Sequence, residues 1–422
     1  MVFKRRKIFT SCERLLFSGL FFLASNNCFA IDLTGAFELA KSSDPKYQAA
    51  ISERKANNAG SIASRTAYLP VATWGQSQPS TLNYSQKTTV LNQPIFDAAK
   101  AATVAQGGAQ SVYADANFAT QSIDLAGRTL TVVQQIIVAT EAIKANDTTI
   151  KALESQYNGA KRKYELGQGT VTDMLDVQVK FEQAKANHLT LKANLKGAQD
   201  QFFAITGSYP TANDFVLPHK HETAKLESLD SILSRVDSDN PSIIAAIANE
   251  KIAKLDIAKA SGAVLPSVSY TWQRISQINY PTSNNNGLTV TIPLNAGAYV
   301  NTYASYAKAQ QSSDNRLATQ VQTKTQAQNL YAQVEAGFES LKIRNQAIDT
   351  ARLSVTANQK SYEAGVKSTT DVLLSIQNLA QTRNDYAQAA TQQALNYMNL
   401  LLVAAEDPDK AVEQTQAFLF RK

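Results

Sequence analysis

The feature that most constrains this chain is that it is written twice. Lys163-Tyr164-Glu165-Leu166-Gly167 and Thr172-Asp173-Met174-Leu175 return as Ser361-Tyr362-Glu363-Ala364-Gly365 and Thr370-Asp371-Val372-Leu373, always 198 residues later. Trp74 and Trp272, the only two tryptophans, keep the same spacing. Asp44-Pro45 and Asn240-Pro241 stand 196 apart, as do Leu69-Pro70 and Leu265-Pro266, so two residues are inserted between Pro266 and Trp272. A register this constant implies tandem duplication of one large unit.

Proline placement shows what that unit contains. None occurs in 95–209 or in 294–407, and long proline-free stretches suit long helices, which proline interrupts. Ile136, Ile143, Ile150, Tyr157 and Tyr164 recur every seven residues, with Ala139, Leu153 and Ala160 on a second seam. Val334, Leu341, Ile348, Val355 and Tyr362 hold that register in the second copy. After the first glycine turn, Met174, Phe181, His188, Leu195 and Phe202 repeat by seven beside Val177, Ala184, Leu191, Ala198 and Ile205. Heptads sustained this long predict coiled-coil packing. A helix over 95–164 would run about 105 Å at ~1.5 Å per residue. Shorter helices over 33–66 and 170–206 together match it, and are expected to stack end to end alongside. In the second copy, 223–236 supplies the missing length.

Between the helices the period falls to two. Val268, Tyr270 and Trp272 alternate with Ser267, Ser269, Thr271 and Gln273, and Leu288, Val290, Ile292 and Leu294 with Thr289, Thr291 and Pro293. Segments 71–78 and 82–93 are the weaker counterparts, and the Asn-rich stretch 281–287 reads as an exposed turn. Strands with one apolar and one small polar face suit a barrel wall between lipid and water, or a half-buried soluble sheet. Trp74, Tyr84, Tyr270, Trp272 and Tyr280 would then form an interfacial aromatic belt. Four strands cannot close a barrel, which needs about eight or more, and open edges are not tolerated in hydrocarbon. Strands in lipid therefore require an oligomer, and three chains would supply twelve.

Residues 1–30 read as a secretory signal peptide. Lys4, Arg5, Arg6 and Lys7 lead an apolar run over 15–24, and Cys28-Phe29-Ala30 offers small residues for cleavage before Ile31. That run is too short to span a bilayer, and no later apolar stretch is long enough to do so as a helix. Asn26 and Asn27 before Cys28 do not fit a lipidation site. Both cysteines, Cys12 and Cys28, fall in the leader, which excludes disulfides and thiolate–metal sites afterwards. Taking the leader's +4 from the formal +6 leaves about +2, so nothing points to nucleic acid. Charged residues are 18%, below the roughly 25% usual for soluble domains, and amides, hydroxyls and alanine replace them.

The segments Tyr164-Glu165-Leu166-Gly167-Gln168-Gly169-Thr170-Val171-Thr172-Asp173-Met174-Leu175 and Tyr362-Glu363-Ala364-Gly365-Val366-Lys367-Ser368-Thr369-Thr370-Asp371-Val372-Leu373 resemble the TolC family of outer-membrane efflux and secretion channels. With the leader, the duplication and the strand–helix order, the resemblance spans nearly the whole mature chain. It implies a mainly α protein with a small β part. The assembled form would be a homotrimer with a 12-stranded outer-membrane β-barrel continuous with a long coiled-coil α-helical barrel. The implied role is the outer-membrane exit duct of a tripartite export system. An inner-membrane transporter of ABC or RND type and a periplasmic adaptor would feed it proteins or small toxic compounds, and no cofactor or metal is involved. The expected organisation is 31–210 as first repeat (strands 68–94, tip turn 164–173), 211–240 as equatorial linker, 241–407 as second repeat (strands 264–294, tip turn 362–371) and 408–422 as C-terminal tail.

The tip residues also have a mechanical reading. Gly167 and Gly365 suit the left-handed conformation that reverses a helix end. Asp173 and Asp371 fall near the first turn of each return helix, where exposed amides favour a carboxylate. In a symmetric trimer each acid also becomes a ring around a narrow mouth, able to select ions. The resemblance implies that Tyr362 hydrogen-bonds Asp173 on an adjacent coil and that Lys367, where the family has a basic residue, usually Arg, ties to the Thr172–Asp173 region. These links would hold a periplasmic gate formed with Tyr164. Lysine cannot make the bidentate contact of arginine. The family's second pore acid is Leu374 here, with Asp176 at the matching place in the first copy.

Other features carry less. His219-Lys220-His221 reads as a polar linker rather than a metal site, and His188 as a packed seam position. Gly107-Gly108 lacks the strand–turn–helix setting of a phosphate loop, and no catalytic constellation can be assembled from the scattered acids. The rival from another class is a soluble periplasmic coiled-coil structural or adaptor protein.

Overall fold

A computed structural model describes residues 31–78, 85–211, 214–217, 226–278, 280–294 and 296–420. The leader, Tyr84 and the His219-Lys220-His221 segment lie outside the described residues. Nine helices and four strands are described: α1 Leu33–Ser43, α2 Pro45–Arg65, β1 Val71–Ser77, β2 Gln86–Phe96, α3 Ala98–Glu165, α4 Val171–Thr206, α5 Leu229–Asp239, α6 Pro241–Gly262, β3 Ser267–Gln277, β4 Tyr280–Thr291, α7 Ala296–Glu363, α8 Thr369–Val403 and α9 Pro408–Phe420. The two long helices, α3 and α7, have 68 residues each.

The N-terminal helix expected over 33–66 is two helices, because proline at the first position of α2 disfavours helical backbone in the residue before it. Asp44 takes that place and caps α2 by accepting from Tyr47 N at 2.7 Å. Its carboxylate also receives Arg128 Nη1 and Nη2 at 2.7 and 3.1 Å. Although burial raises the Asp44 pKa, the Arg128 and Tyr47 hydrogen bonds outweigh it and hold the carboxyl below its ordinary value. The second repeat breaks at the same place, with Asn240 capping α6 through Ser242 N. Its supplementary helix, expected over 223–236, is described over Leu229–Asp239.

The helices form a wall. α3 packs against α2 and α4 on one side and against α6 and α8 on the other; α7 continues the wall beyond α6 and α8. Its order is therefore α2 and α4, α3, α6 and α8, then α7. The seams hold the expected heptads, with Val334, Leu341, Val177, Ala198 and Phe202 buried. At mid-height α1, α5 and α9 add a thicker core around Leu33, Phe37, Leu130, Val133, Phe202, Val236, Met398 and Leu419. The stretch 408–422, read as a tail, is thus mostly a packed helix. Toward the helical tips the core thins to Leu153, Val177, Ala184 and Leu373, backed by the stacked pair Tyr157 and Phe181. His188 stays on its seam, Nδ1 3.0 Å from the Asp147 carboxylate.

The strands form one antiparallel sheet in the order β1-β2-β3-β4. The turn expected at 281–287 belongs instead to β4, where Ser283 to Gly287 pair with Ile275 to Thr271 of β3. Ladder hydrogen bonding overrides the weak strand propensity of an asparagine run. Proline is tolerated because Pro281 is on an edge strand and Pro94 sits at a register shift. Since cross-strand partners share a face, Trp74, Leu91, Tyr270, Trp272, Leu288 and Val290 lie together, with Lys87, Arg274 and Asn286 toward the far end of the same face, while Thr73, Thr88, Asn92, Thr271, Gln273 and Thr289 occupy the other side with Val90 and Ile275.

The repeats differ at one helix end. α4 closes on Gly207 at φ +71°, but the matching position after α8 is Ala405 at φ +61°. A Cβ in the left-handed region costs about 1–2 kcal/mol, partly offset by the unfolded-state freedom of glycine. Ala405→Gly should therefore raise unfolding stability by about 0.5–1 kcal/mol, read as a higher denaturation midpoint at unchanged assembly state.

Candidate functional site

The site is the pair of turns that end α3 and α7. At the first, Gln168 N donates to Lys163 O (2.8 Å) and Gly167 N to Tyr164 O (3.0 Å), with Gly167 at φ +70°. At the second, Val366 N donates to Ser361 O (2.9 Å) and Gly365 N to Tyr362 O (3.0 Å), with Gly365 at φ +77°. Each is a Schellman closure that satisfies helix-end carbonyls and needs a residue free to adopt positive φ. The return helices start on matching caps. Thr170 Oγ1 accepts from Asp173 N (3.1 Å) and donates to Asp173 Oδ2 (2.7 Å). Ser368 and Asp371 form a full capping box, Asp371 N to Ser368 Oγ at 3.3 Å and Ser368 N to Asp371 Oδ2 at 3.0 Å.

The two tips meet in a cleft of about 220 Å³ lined by Lys163, Gly169, Thr170, Asp173, Tyr362 and Ser368, among others. Lys163 is the link between them: its Nζ donates to the Tyr362 hydroxyl at 3.1 Å and lies 4.4 Å from the ring centroid. Burial raises the Tyr362 pKa, but hydrogen bonds with Thr369 and Lys163 outweigh it and hold the phenol below its ordinary value. Within one chain the described partners of the Tyr362 hydroxyl are thus Lys163 and Thr369 rather than Asp173. Lys367, in the turn before α8, has its Nζ 3.7 Å from Asp371 Oδ1 of that helix rather than against the Thr172–Asp173 region. Tyr164, Thr172, Asp173 and Asp176 are exposed, as is Leu374 at the place matching Asp176.

Sequence reasoning missed Lys163 and the two hydroxyl caps. The caps had a signal, since Thr170-x-x-Asp173 and Ser368-x-x-Asp371 are capping-box spacings. Lys163 had none, because it acts across two repeats far apart in sequence. Of the aromatic belt, Trp74, Tyr270 and Trp272 share one sheet face; Tyr270 OH accepts from Asn286 Nδ2 at 3.0 Å, and Tyr280 is exposed where the β3–β4 register shifts.

Serine and lysine neighbours lower the Asp371 pKa, the Ser368 backbone amide most of all. A depressed carboxylate pKa gives stability that is present above the unfolded value, near 4, and lost as pH falls through the folded one. Protection of the first α8 turn against hydrogen exchange, corrected for intrinsic rates, should hold at neutral pH and fall below about pH 4. Asp371→Asn should flatten that dependence.

Comparison with known proteins places this geometry. The TolC outer membrane protein of Salmonella enteritidis is 23% identical over 228 residues, covering 49% of this chain and 46% of that protein. The alkaline protease secretion protein AprF of Pseudomonas aeruginosa is 26% identical over 147 residues, 31% of each chain. The chain thus spans less than half the length of these curated relatives in the matched regions. The solved outer-membrane channel OprN superposes with TM-score 0.76 at 14% identity, over 89% of this chain and 90% of that one, a likeness of fold. The sequence profile of the outer membrane efflux protein family matches residues 37–208 and 232–405, one stretch per repeat, and the chain belongs to that family.

Proposed function

We propose that this chain is the outer-membrane exit duct of a tripartite export system, closed as a homotrimer and gated at its periplasmic tips. The observation that carries the reading is a wall with two open sides. The sheet ends on β1 at one edge and β4 at the other, and the helical wall ends on α2 and α4 at one side and α7 at the other. Pairing the β4 edge of one copy with β1 of the next removes both, and three copies supply twelve strands. The sheet face with Trp74, Trp272, Leu288 and Val290 would meet lipid, and the small polar face would line water.

The duplication supplies a template for the seam. Inside one chain, α3 of the first repeat meets α6 of the second: a Cβ on Gly262 would lie 2.5 Å from Ala99 N, and Gln106 Nε2 donates to Asp256 Oδ1 at 2.9 Å. Moving each partner by the repeat offset places Ala304 of α7 against Gly60 of α2 in the next copy. Small residues on both sides suit that close approach.

At the tips, three copies bring three Asp173 and three Asp371 carboxylates around one mouth, with the Lys163–Tyr362 and Lys367–Asp371 contacts bracing each protomer. An adaptor protein engaging the coils would part them, and an inner-membrane transporter of ABC or RND type would load the duct. The names of the relatives, a TolC channel and a protease-secretion protein, support export of proteins or small toxic compounds.

Two experiments test this. A Gly60→Cys/Ala304→Cys chain, otherwise free of cysteine after residue 30, should give covalent dimers and trimers with a short thiol cross-linker in membranes. Monomer alone, pelleting with soluble proteins, would favour the periplasmic structural or adaptor alternative. In planar bilayers, Asp371→Ala with Lys367→Ala should raise conductance and weaken block by cations; unchanged conductance and block would leave these residues as helix caps only.

A further inference from the structure

The first turns of α7 carry an aromatic ridge that is exposed in the protomer, where Tyr299 and Tyr306 continue the heptad register of Val334 and Leu341 beyond the buried core. Tyr299, Tyr303 and Tyr306 are 65%, 78% and 58% exposed. Their spacing of four and three keeps them on one helix face. The matching positions of the first repeat are Ala101, Ala105 and Gly108, so each subunit bears this ridge once.

Which way the ridge points follows from the heptad. Gln320 lies three heptads beyond Tyr299, and Lys324 three beyond Tyr303. Both reach α5, through Asp237 at 3.0 and 2.5 Å. With a drift of ~20° per heptad, the ridge lies within about 60° of the face of α7 that meets α5. In a duct that side is the outside, since helices packed on the other would fill the bore. The seam proposed for the next subunit, through Ala304, lies on a different face.

In sequence the ridge also follows an exposed apolar run at the end of β4. Leu288 and Val290 of β4 lie on the face shared with Trp272; Ile292 and Leu294 follow, Leu294 at 95% exposure, and then the tyrosines begin. Aromatic rings with one polar tip favour the boundary between hydrocarbon and water. We infer that Tyr299, Tyr303 and Tyr306 seat each subunit in the headgroup layer of the periplasmic leaflet, as a lipid-surface anchor built on helix rather than strand. This rests on the duct reading.

The test places a fluorophore on single-cysteine chains at Tyr303→Cys, at Gln328→Cys about 37 Å further along α7, and at Val290→Cys in the sheet. Protein is reconstituted in phosphatidylethanolamine–phosphatidylglycerol vesicles carrying a headgroup nitroxide. Quenching by the nitroxide at Tyr303→Cys should exceed that at Gln328→Cys about threefold or more, as for an interfacial side chain. Quenching by aqueous iodide alone at Tyr303→Cys would overturn the proposal, because the ridge would then stand in water. Shielding from both quenchers would also overturn it, because a neighbouring subunit would then cover the tyrosines. Val290→Cys separates the two levels: lipid quenching there without any at Tyr303→Cys sinks the anchor but keeps the duct, whereas none at either site sinks the duct as well.

Discussion

Backbone amides and carbonyls along β1 and β4 set the terms for this protein. In water a strand edge is a modest liability, but in hydrocarbon each unpaired group costs several kcal/mol. A four-stranded open sheet has no way to satisfy both edges alone. The helical wall has the same topology, closed in its middle by α3 and open at α2, α4 and α7. On the proposed duct reading, sheet and wall call for the same remedy, another copy in the same cyclic arrangement, and the duplication would make the seams inside and between chains nearly equivalent.

The repeats nevertheless diverge where equivalence would be unhelpful. Breaks before Pro45 and Pro241, Schellman closures at Gly167 and Gly365, and hydroxyl caps at Thr170 and Ser368 are retained in both copies. Elsewhere the copies differ: Asp176 is matched by Leu374, Gly207 by Ala405, and Ala101, Ala105 and Gly108 by the tyrosine ridge. Local backbone geometry that any helix end requires is conserved by physics in both halves. Side chains that face outward are free to specialise in one.

Much of this was legible from residue order because its signals are periodic. The long helices, their seams, the strand pairs and the glycine turns each write a repeat into the sequence, and Asp44-Pro45 already contains the break that a continuous 33–66 helix overlooked. The asparagine run in β4 misled because its pairing depends on a partner strand supplied from elsewhere in the chain. The packed helix α9 was hidden for a similar reason: thirteen residues of weak pattern become helix by docking on α8 and α1. At the tip, the acids and glycines were found, but Lys163 joins Tyr362 across 199 residues and has no sequence signature.

Each helix end at the tip carries its own capping hydrogen bonds. Gly167 and Gly365 close the outgoing carbonyls, and Thr170 with Asp173 and Ser368 with Asp371 close the incoming amides. A gate that swings these hairpins apart, as proposed above, would have only the side-chain contacts between them to break. In the proposed gate such a hinge would be stiff in shape and soft in position, so mechanical work applied far up the coil would arrive at the mouth as displacement instead of being dissipated in frayed backbone.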